Sequence, residues 1–259
     1  MNDRSLKPEI RKKIILDLIN SNDFVSIHTV MDKCNVSEIT VRRDLTELEG
    51  MGLLIRTHGG AVKSVAAGQL FTYDSKISRN SKNKESICRT ASSFIENNDI
   101  IFIDCGTTLS FMSKYVTKFE SLTIITNSLP IASGLINFPA IKLILIGGEV
   151  INERKAIYGL FADRNISQFH ANKAFIGADG VSLSGGLTSF DENEASVTLK
   201  MAENSDKVYL LSDSSKIEKD SFVRFAPLSA VDVVITDSEL DERYMTKYKK
   251  HNIQIIKSN

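Results

Sequence analysis

Apolar residues in the first sixty positions recur with the period of an α-helix in three successive segments. In 8–20 and in 27–34 they form one face of each segment. A third segment follows Ser37, repeats an apolar residue every third or fourth position, and ends at two glycines, which commonly stand just past a helix end. The mostly apolar residues 53–56 then predict a strand, and the turn residues 58–60 after them predict a hairpin. Three helices followed by a hairpin are the layout of a winged helix-turn-helix.

The third segment carries polar and basic side chains opposite its apolar face. Thr40 and Arg43 are three residues apart, so we expect them to point together into solvent, where they would read base edges in the DNA major groove. The basic side chains around them would contact phosphates or the flanking groove. An ordinary amphipathic helix with a solvated basic edge is the competing interpretation. The expected DNA-binding residues are Ser37, Thr40, Arg42, Arg43, Arg56 and His58.

Charge along the chain weakly favours a nucleic-acid partner for the front part. Residues 1–84 carry 14 Lys+Arg against 10 Asp+Glu, whereas the remainder carries 18 against 22, so that the whole chain is neutral. A basic cluster also opens the first helix, where phosphate contact and plain solvation are equally good interpretations. Its members are Lys7, Arg11, Lys12 and Lys13.

The pattern changes after residue 84 to apolar runs that alternate with helical segments. Each run is nearly continuous, as expected of a strand buried on both faces of a parallel sheet. Alternation on this scale predicts an α/β domain with an open, mostly parallel sheet. The seven predicted strands are 100–103, 122–125, 141–146, 174–176, 208–211, 233–235 and 253–256.

Polar residues and glycines follow these predicted strands, where ligands of open α/β sheets bind. The first strand ends in Asp104, Gly106, Thr107 and Thr108, a turn whose backbone amides suit an anion such as phosphate. Asn127, Asp179 and Lys216 follow later strands and would converge on the same edge. The turn at Asp104 is equally explained as a helix cap, and any one of these residues alone is more often structural than functional. Their shared position favours a cleft for a polyol or a phosphate.

Composition sets the remaining limits on the kind of protein. The chain has 259 residues, of which 42% are hydrophobic and 25% charged, values ordinary for a globular protein. No apolar run is long enough for a membrane span, and the N-terminus lacks a signal peptide, so a cytoplasmic location is expected. The three cysteines have no metal-ligand spacing and are expected to be free thiols. We expect neither a metal nor a cofactor.

Two sets of motifs resemble the deoxyribose-operon (DeoR-type) repressor family. Residues 37–61 read SxxTVRRDLxxLExxGxLxRxHGGA, and the back half carries IFIDCGTT, TNS, IGG, KAFIGADG, GGLT and LSDSSK in the order of that family's effector domain. The resemblance implies a sequence-specific DNA-binding regulator of carbohydrate metabolism, most simply a repressor. It also implies operator DNA, a phosphorylated sugar and further copies of the chain as partners.

The resemblance implies a domain organisation and a set of ligand contacts. Residues 1–63 would form the winged helix-turn-helix, with the helix-turn-helix at about 25–44, residues 64–83 a linker, and 84–259 an effector-binding and oligomerisation domain similar in fold to ribose-5-phosphate isomerase. Carried over by position, four residues would face the phosphate or sugar, namely Asp104, Gly106, Thr107 and Thr108. Five more would line the cleft, namely Asn127, Lys173, Asp179, Glu194 and Lys216.

That likeness to an isomerase supplies the alternative function, a sugar-phosphate isomerase-like enzyme. Isomerisation needs a general base and a cation that stabilises the enediolate, roles that Glu192 or Glu194 and Lys216 could fill. The loop GGLTSFDENEA does not place a glutamate directly after Leu-Thr, where such isomerases carry theirs. A fused DNA-binding domain also favours regulation over catalysis.

Overall fold

The chain divides into two units, 1–76 and 77–259, in a computed structural model that describes residues 6–22, 24–57, 59–63, 72–221 and 223–258. Within its described residues up to 63, the first unit has three helices and a three-stranded antiparallel sheet in the order β1-β3-β2. Its elements are α1 (Pro8–Asn22), β1 (Phe24–Ser26), α2 (Ile27–Cys34), α3 (Glu38–Gly50), β2 (Leu54–Thr57) and β3 (Gly60–Lys63). The predicted helix-turn-helix with its wing is confirmed.

The core of the first unit differs from the predicted apolar face of α1 at two positions. Ile15 and Ile19 are buried as expected, but Ile10 is 47% exposed. The buried position one residue later belongs to Arg11, whose guanidinium holds both carboxylate oxygens of Asp44 at 2.7 and 2.9 Å. Arg11 is therefore an internal ion-pair partner, which fits neither the phosphate contact nor the plain solvation considered for the basic cluster.

The second unit is built on seven parallel strands with helices on both faces. The sheet order is β15-β14-β12-β9-β4-β5-β6, and all seven strands predicted from apolar runs are present. These strands are β4 (Ile100–Ile103), β5 (Leu122–Thr126), β6 (Ile141–Leu145), β9 (Ala171–Ile176), β12 (Ser205–Leu211), β14 (Val233–Thr236) and β15 (Gln254–Lys257). Ile101 packs into one core and Phe102 into the other, so successive residues are buried on opposite faces.

Helices cover both faces of the sheet, and shorter strands add two further sheets. A short helix, α4 (Tyr73–Ile77), spans the boundary between the two units, and the helices of the second unit are α5 (Ser81–Ala91), α6 (Ser113–Val116), α7 (Leu129–Leu135), α8 (Leu160–Ile166), α9 (Glu192–Glu203) and α10 (Glu242–Lys249). Four 3₁₀ turns lie at Ser92–Phe94, Leu109–Met112, Ser214–Lys216 and Leu228–Ala230. The extra strands are β7 (Glu149–Ile151), β8 (Ala156–Tyr158), β10 (Gly180–Ser182), β11 (Gly186–Ser189) and β13 (Val223–Ala226). The sequence did not predict these five strands.

The segment predicted as a linker, 64–83, contains a short helix and the start of a second one where the structure describes it. The description begins at Thr72, passes through α4 and enters α5 at Ser81. The start of α5 escaped prediction because its buried face begins with a charged residue, Lys84, and becomes apolar only at Ile87. The sequence also suggests a short anchored piece within this segment at Leu70, Phe71 and Tyr73. Leu70 and Phe71 lie outside the described residues, and Tyr73 is the first residue of α4.

The strand order places one topological switch point at the centre of the sheet. From β4 the chain runs outward through β5 and β6, then returns to β9 on the other side of β4 and runs outward through β12, β14 and β15. Loops that follow β4 and β9 therefore leave in opposite directions and open a crevice between them. Open α/β sheets bind their ligands in such a crevice.

Candidate functional sites

The N-terminus of α3 is fixed by the cap that the sequence predicted. The Ser37 hydroxyl accepts a hydrogen bond from the Thr40 N–H, which satisfies one of the free donors in the first turn. The two hydroxyls also hydrogen-bond to each other at 3.0 Å, and Thr40 is only half exposed. Thr40 thus contributes to the cap and is less open to solvent than the sequence suggested.

The basic residues of α3 and β2 differ in how firmly they are held. Arg42 is ion-paired one turn back with Glu38 at 2.7 Å, whereas Arg43 lies 3.9 Å from Glu47 and keeps 66% of its side chain exposed. Arg56 donates from its guanidinium to Thr46 on the outer face of α3 at 2.8 Å. Arg43 is therefore the more freely available cation, and Arg56 joins the wing to the same face. His58 lies outside the described residues.

The carboxyl end of β4 carries a buried carboxyl group, Asp104. Thr198 donates to its Oδ2 at 2.9 Å, and the N–H groups of Cys105 and Gly177 donate at 2.7 and 3.4 Å. Burial raises the pKa of Asp104 to about 7, and the nearby charge of Glu194 adds to the rise while these hydrogen bonds oppose it. Both protonation states are therefore accessible near neutral pH.

A lysine that the sequence did not single out lies against the predicted phosphate turn. Lys84 on α5 is 4% exposed, and its ammonium donates to the Thr107 hydroxyl at 3.0 Å. Gly106 has φ +119°, a conformation that L side chains rarely adopt. Thr108 is buried, and its carbonyl accepts a hydrogen bond from Cys88 Sγ at 3.0 Å. The turn therefore combines a buried cation with hydroxyls and backbone amides.

The first turn of α9 places Glu194 above Asp104. The Asp191 side chain caps this helix by accepting from the N–H groups of Asn193 and Glu194. Glu194 lies 3.3 Å from the guanidinium of Arg154, a residue in the connection between β7 and β8. Burial acts to lower the pKa of Arg154, but the carboxylates of Glu194 and Asp179 outweigh it and raise that pKa. Sequence reasoning missed Arg154 because the two strands that position it were not predicted.

The loops after β9 and β12 come together beside the switch point. Lys216 donates from Nζ to the Ala178 carbonyl at 3.0 Å, which brings its ammonium to the end of β9. The next residue, Asp179, accepts from the Phe190 N–H at 3.1 Å. Lys216 and Asp179 are therefore neighbours around Ala178, as the sequence predicted for residues at one edge.

The end of β5 contributes a fully buried amide. Asn127 donates from Nδ2 to the Ile157 carbonyl at 3.2 Å, and within the described residues its Oδ1 has no hydrogen-bond partner. Cys105 Sγ and the Tyr158 hydroxyl form a hydrogen bond of 2.9 Å nearby. Burial raises the pKa of the Cys105 thiol well above its usual range, so this cysteine is not a reactive thiolate.

Lys173 is the one predicted ligand residue that the structure places elsewhere. It is the third residue of β9, pairs with Ile101, and forms a 2.6 Å ion pair with Asp99. Asp99 immediately precedes β4, so Lys173 points to the amino end of the sheet, opposite the crevice. The position of a lysine along its strand determines which end of the sheet the side chain reaches. The sequence motif did not show where in the strand Lys173 would stand.

The crevice combines groups suited to a polar, anionic small molecule. Lys84, Lys216 and Arg154 supply positive charge, while Asp104, Asp179 and Asn127 supply oxygen acceptors for hydroxyl groups. The described part of the chain holds no cluster of His, Cys, Asp and Glu that could bind a metal ion. Within it, no helix combines the length and apolar character needed to cross a membrane.

A winged helix-turn-helix joined to an α/β unit with a polar crevice at its switch point defines a DNA-binding regulator with a sensor domain. Comparison with known families agrees for both units. Residues 11–64 match the DeoR-like helix-turn-helix domain, and residues 79–238 match the DeoR C terminal sensor domain. The chain belongs to the DeoR family of transcriptional regulators.

Several relatives match this chain over nearly their whole length. It is 35% identical over 249 residues to the HTH-type transcriptional regulator GlpR of Haloferax volcanii, covering 96% of this chain and 97% of that protein. It is 32% identical over 250 residues to the glycerol-3-phosphate regulon repressor of Escherichia coli, with coverages of 96% and 99%. It is 30% identical over 248 residues to the HTH-type transcriptional repressor GlcR of Bacillus subtilis, with coverages of 96% and 95%.

Solved structures resemble the chain only distantly. Ribose 5-phosphate isomerase A from Methanocaldococcus jannaschii is 16% identical, covers 53% of this chain and 55% of its own, and has a TM-score of 0.39. The eIF2B beta subunit from Chaetomium thermophilum is 18% identical, covers 60% of this chain and 48% of its own, and has a TM-score of 0.44. Likenesses this distant carry no inference about chemistry.

Proposed function

We propose that the chain is a repressor of a carbohydrate-utilisation operon whose affinity for its operator is controlled by a phosphorylated sugar or a related metabolite. The observation that carries the effector assignment is the buried Lys84 ammonium held against Thr107 at the switch point. A cation in this position offsets the charge of a phosphate that has left water. The glycerol-3-phosphate regulon repressor among the relatives supports control of sugar or polyol metabolism.

The sugar part of the effector would lie against the acceptors of the crevice. Asp104 and Asp179 suit hydroxyl donors, and a hydroxyl that reached Asn127 Oδ1 would satisfy its buried acceptor. We therefore keep eight of the effector contacts that the sequence predicted. They are Asp104, Gly106, Thr107, Thr108, Asn127, Asp179, Glu194 and Lys216. Arg154 and Lys84 join them, and Lys173 does not.

The domain roles follow the same proposal. Residues 1–63 bind the operator, 64–83 connect, and 84–259 bind the effector and assemble the chain into at least a dimer. Symmetric copies are expected because one winged module makes a small contact, and repressors generally meet repeated half-sites. Light scattering at micromolar concentration with and without operator DNA tests this, and a monomer in both conditions would contradict it.

Arg43→Ala is expected to relax the sequence preference of DNA binding. A bidentate contact between arginine and guanine contributes about 1–3 kcal/mol of discrimination, and Arg43 is the freest cation of α3. Affinities are measured for an operator selected from random DNA by the wild type and for variants with one base pair changed. Arg42→Ala, in the same helix, is the control. Loss of a phosphate contact should weaken binding to all sequences alike and should reduce the slope of log affinity against log salt concentration by about one.

This assignment fails if Arg43→Ala binds the selected operator and its single-base variants with the wild-type affinities. In that case α3 does not read DNA with the face that Arg43 occupies. Failure of the wild type to select any sequence would instead contradict specific DNA binding itself.

Lys216→Ala and Thr107→Ala are expected to leave operator binding intact and to abolish its response to the effector. A coupling of about 1–3 kcal/mol between the two sites would change operator affinity roughly 5–150-fold. The measurement is an operator titration across a panel of sugar phosphates, run on the wild type and both variants. Lys114→Ala serves as control, because this exposed lysine pairs with Glu85 on the surface and should respond like the wild type.

The outcomes of this titration separate the parts of the proposal. A wild type that responds to an unphosphorylated sugar and to no sugar phosphate would contradict the phosphate assignment. Variants that respond like the wild type would show that the effector binds elsewhere. Turnover of ribose 5-phosphate by the wild type that disappears in Glu194→Ala would favour the isomerase-like enzyme instead.

A further inference from the structure

The recognition helix presents an apolar side chain to solvent at the end where such helices meet DNA. Ile39 is 81% exposed, more than any other large apolar side chain in the part of the chain that the structure describes. It is the second residue of α3, directly after the Ser37 cap and Glu38. N-terminal residues of a recognition helix are those that contact base edges.

Ile39 shares one face of α3 with the residue assigned to base reading. Ile39, Arg43 and Thr46 follow each other at intervals of four and three residues, so they form one stripe on the helix surface. The apolar residues that hold α3 in its unit, Val41 and Leu45, lie on another face and are buried. The stripe that carries Arg43 therefore begins with an exposed isoleucine.

The polar neighbours of Ile39 are tied to other groups and leave the isoleucine uncovered. Glu38 is ion-paired with Arg42 at 2.7 Å, and the Thr40 hydroxyl is hydrogen-bonded to that of Ser37. Arg42 and Arg43 give this end of the helix the positive charge that a DNA backbone attracts. Ile39 lies one helical turn before these two arginines, and an apolar side chain next to cations fits the major groove better than the acidic or apolar surface of a protein.

We infer that Ile39 recognises the C5-methyl group of a thymine close to the guanine read by Arg43, an inference that rests on the proposed DNA-binding role of α3. The thymine methyl is the one apolar group that a base pair presents in the major groove. Residues four apart on a helix have Cβ atoms about 5–6 Å apart, whereas bases along one strand are about 3.4 Å apart. The two side chains can therefore contact base pairs that are adjacent or that are separated by one other base pair.

The experiment removes the methyl group alone by replacing operator thymines singly with deoxyuridine. For the wild type we expect one position in each half-site at which the replacement weakens binding about fourfold, the value for burial of one methyl group. Ile39→Ala should bind the thymine operator correspondingly more weakly and should not distinguish thymine from deoxyuridine at that position. Alanine is a strong helix former, so the variant should keep α3 intact.

Ile136→Ala is the matched control, because this isoleucine is 73% exposed in the second unit and should leave every thymine preference unchanged. The inference is overturned if Ile39→Ala responds to each deoxyuridine as the wild type does, or if the wild type is sequence-specific but indifferent to every thymine methyl. It is also overturned if Ile39→Ala changes the oligomeric state without DNA, since the isoleucine would then contact protein. A wild type without any sequence preference contradicts the proposed function and not this contact alone.

Discussion

Arg11→Met is expected to destabilise the DNA-binding unit by about 3–5 kcal/mol, because it leaves the Asp44 carboxylate buried without its cation. Both residues are buried, and the two guanidinium contacts to the carboxylate measure 2.7 and 2.9 Å. A third guanidinium nitrogen donates to the Leu6 carbonyl at 2.6 Å. The hydrogen bond to Asp44 raises the pKa of Arg11, so the guanidinium stays charged throughout the physiological range.

The measurement is hydrogen exchange of the backbone amides in α1 and α3, read by mass spectrometry on the full chain. Lys7→Met removes a positive charge from the exposed start of α1 and should change exchange little. The double variant Arg11→Met, Asp44→Leu should recover most of the lost stability, since replacing both buried charges by apolar groups is often neutral. Equal exchange in Arg11→Met and the wild type would show that the ion pair does not stabilise the unit.

The same ion pair shows what a single sequence can and cannot predict. The helical period of α1 and α3 follows from local spacing, so both helices were predicted close to their observed ends. Arg11 and Asp44 are 33 residues apart, and nothing in either segment indicates that they meet. The sequence therefore offered phosphate contact and solvation as equal alternatives for a basic residue that belongs to the core.

The sequence predicted those parts of the crevice that lie at the carboxyl ends of the parallel strands. Continuous apolar runs identified all seven parallel strands, and the polar residues after β4, β5, β9 and β12 share one edge because parallel strands end on the same side. Lys84 and Arg154 were missed because they reach the crevice from a helix and from a short hairpin. The assignment of Lys173 to the effector was wrong, because this lysine lies near the start of β9 and not after its end. Its side chain pairs with Asp99 at the amino end of the sheet.

The glycines of the wing illustrate a second limit, since a pattern shows that a glycine is present and not why. The sequence assigned Gly59 and Gly60 together to a tight turn. In the structure Gly60 is the first residue of β3 and pairs with Ser26 on one side and Thr57 on the other. Gly60 is therefore a central-strand residue, where the absence of a side chain lets two backbones approach.

Gly60→Ala is expected to destabilise the wing by about 3 kcal/mol, at the upper end of the range for overpacked interiors. A Cβ at Gly60 would lie 2.0 Å from the Val25 carbonyl oxygen and 2.9 Å from the Ser26 Cα. Both atoms belong to the backbone of β1, so no rotation of a side chain can relieve the contact. The strands β1 and β3 would have to separate, and the pairing that holds the wing against the helices would be lost.

Gly59→Ala is the control inside the same motif, because a Cβ there meets nothing within 4 Å. Hydrogen exchange of 24–26 and 60–63 should accelerate in Gly60→Ala and remain near wild type in Gly59→Ala. Operator affinity should fall in the same order, since the wing carries Arg56 and rests on α3 through Thr46. Equal losses in the two variants would mean that backbone flexibility of the turn, and not the close approach of β1 and β3, is what the paired glycines provide.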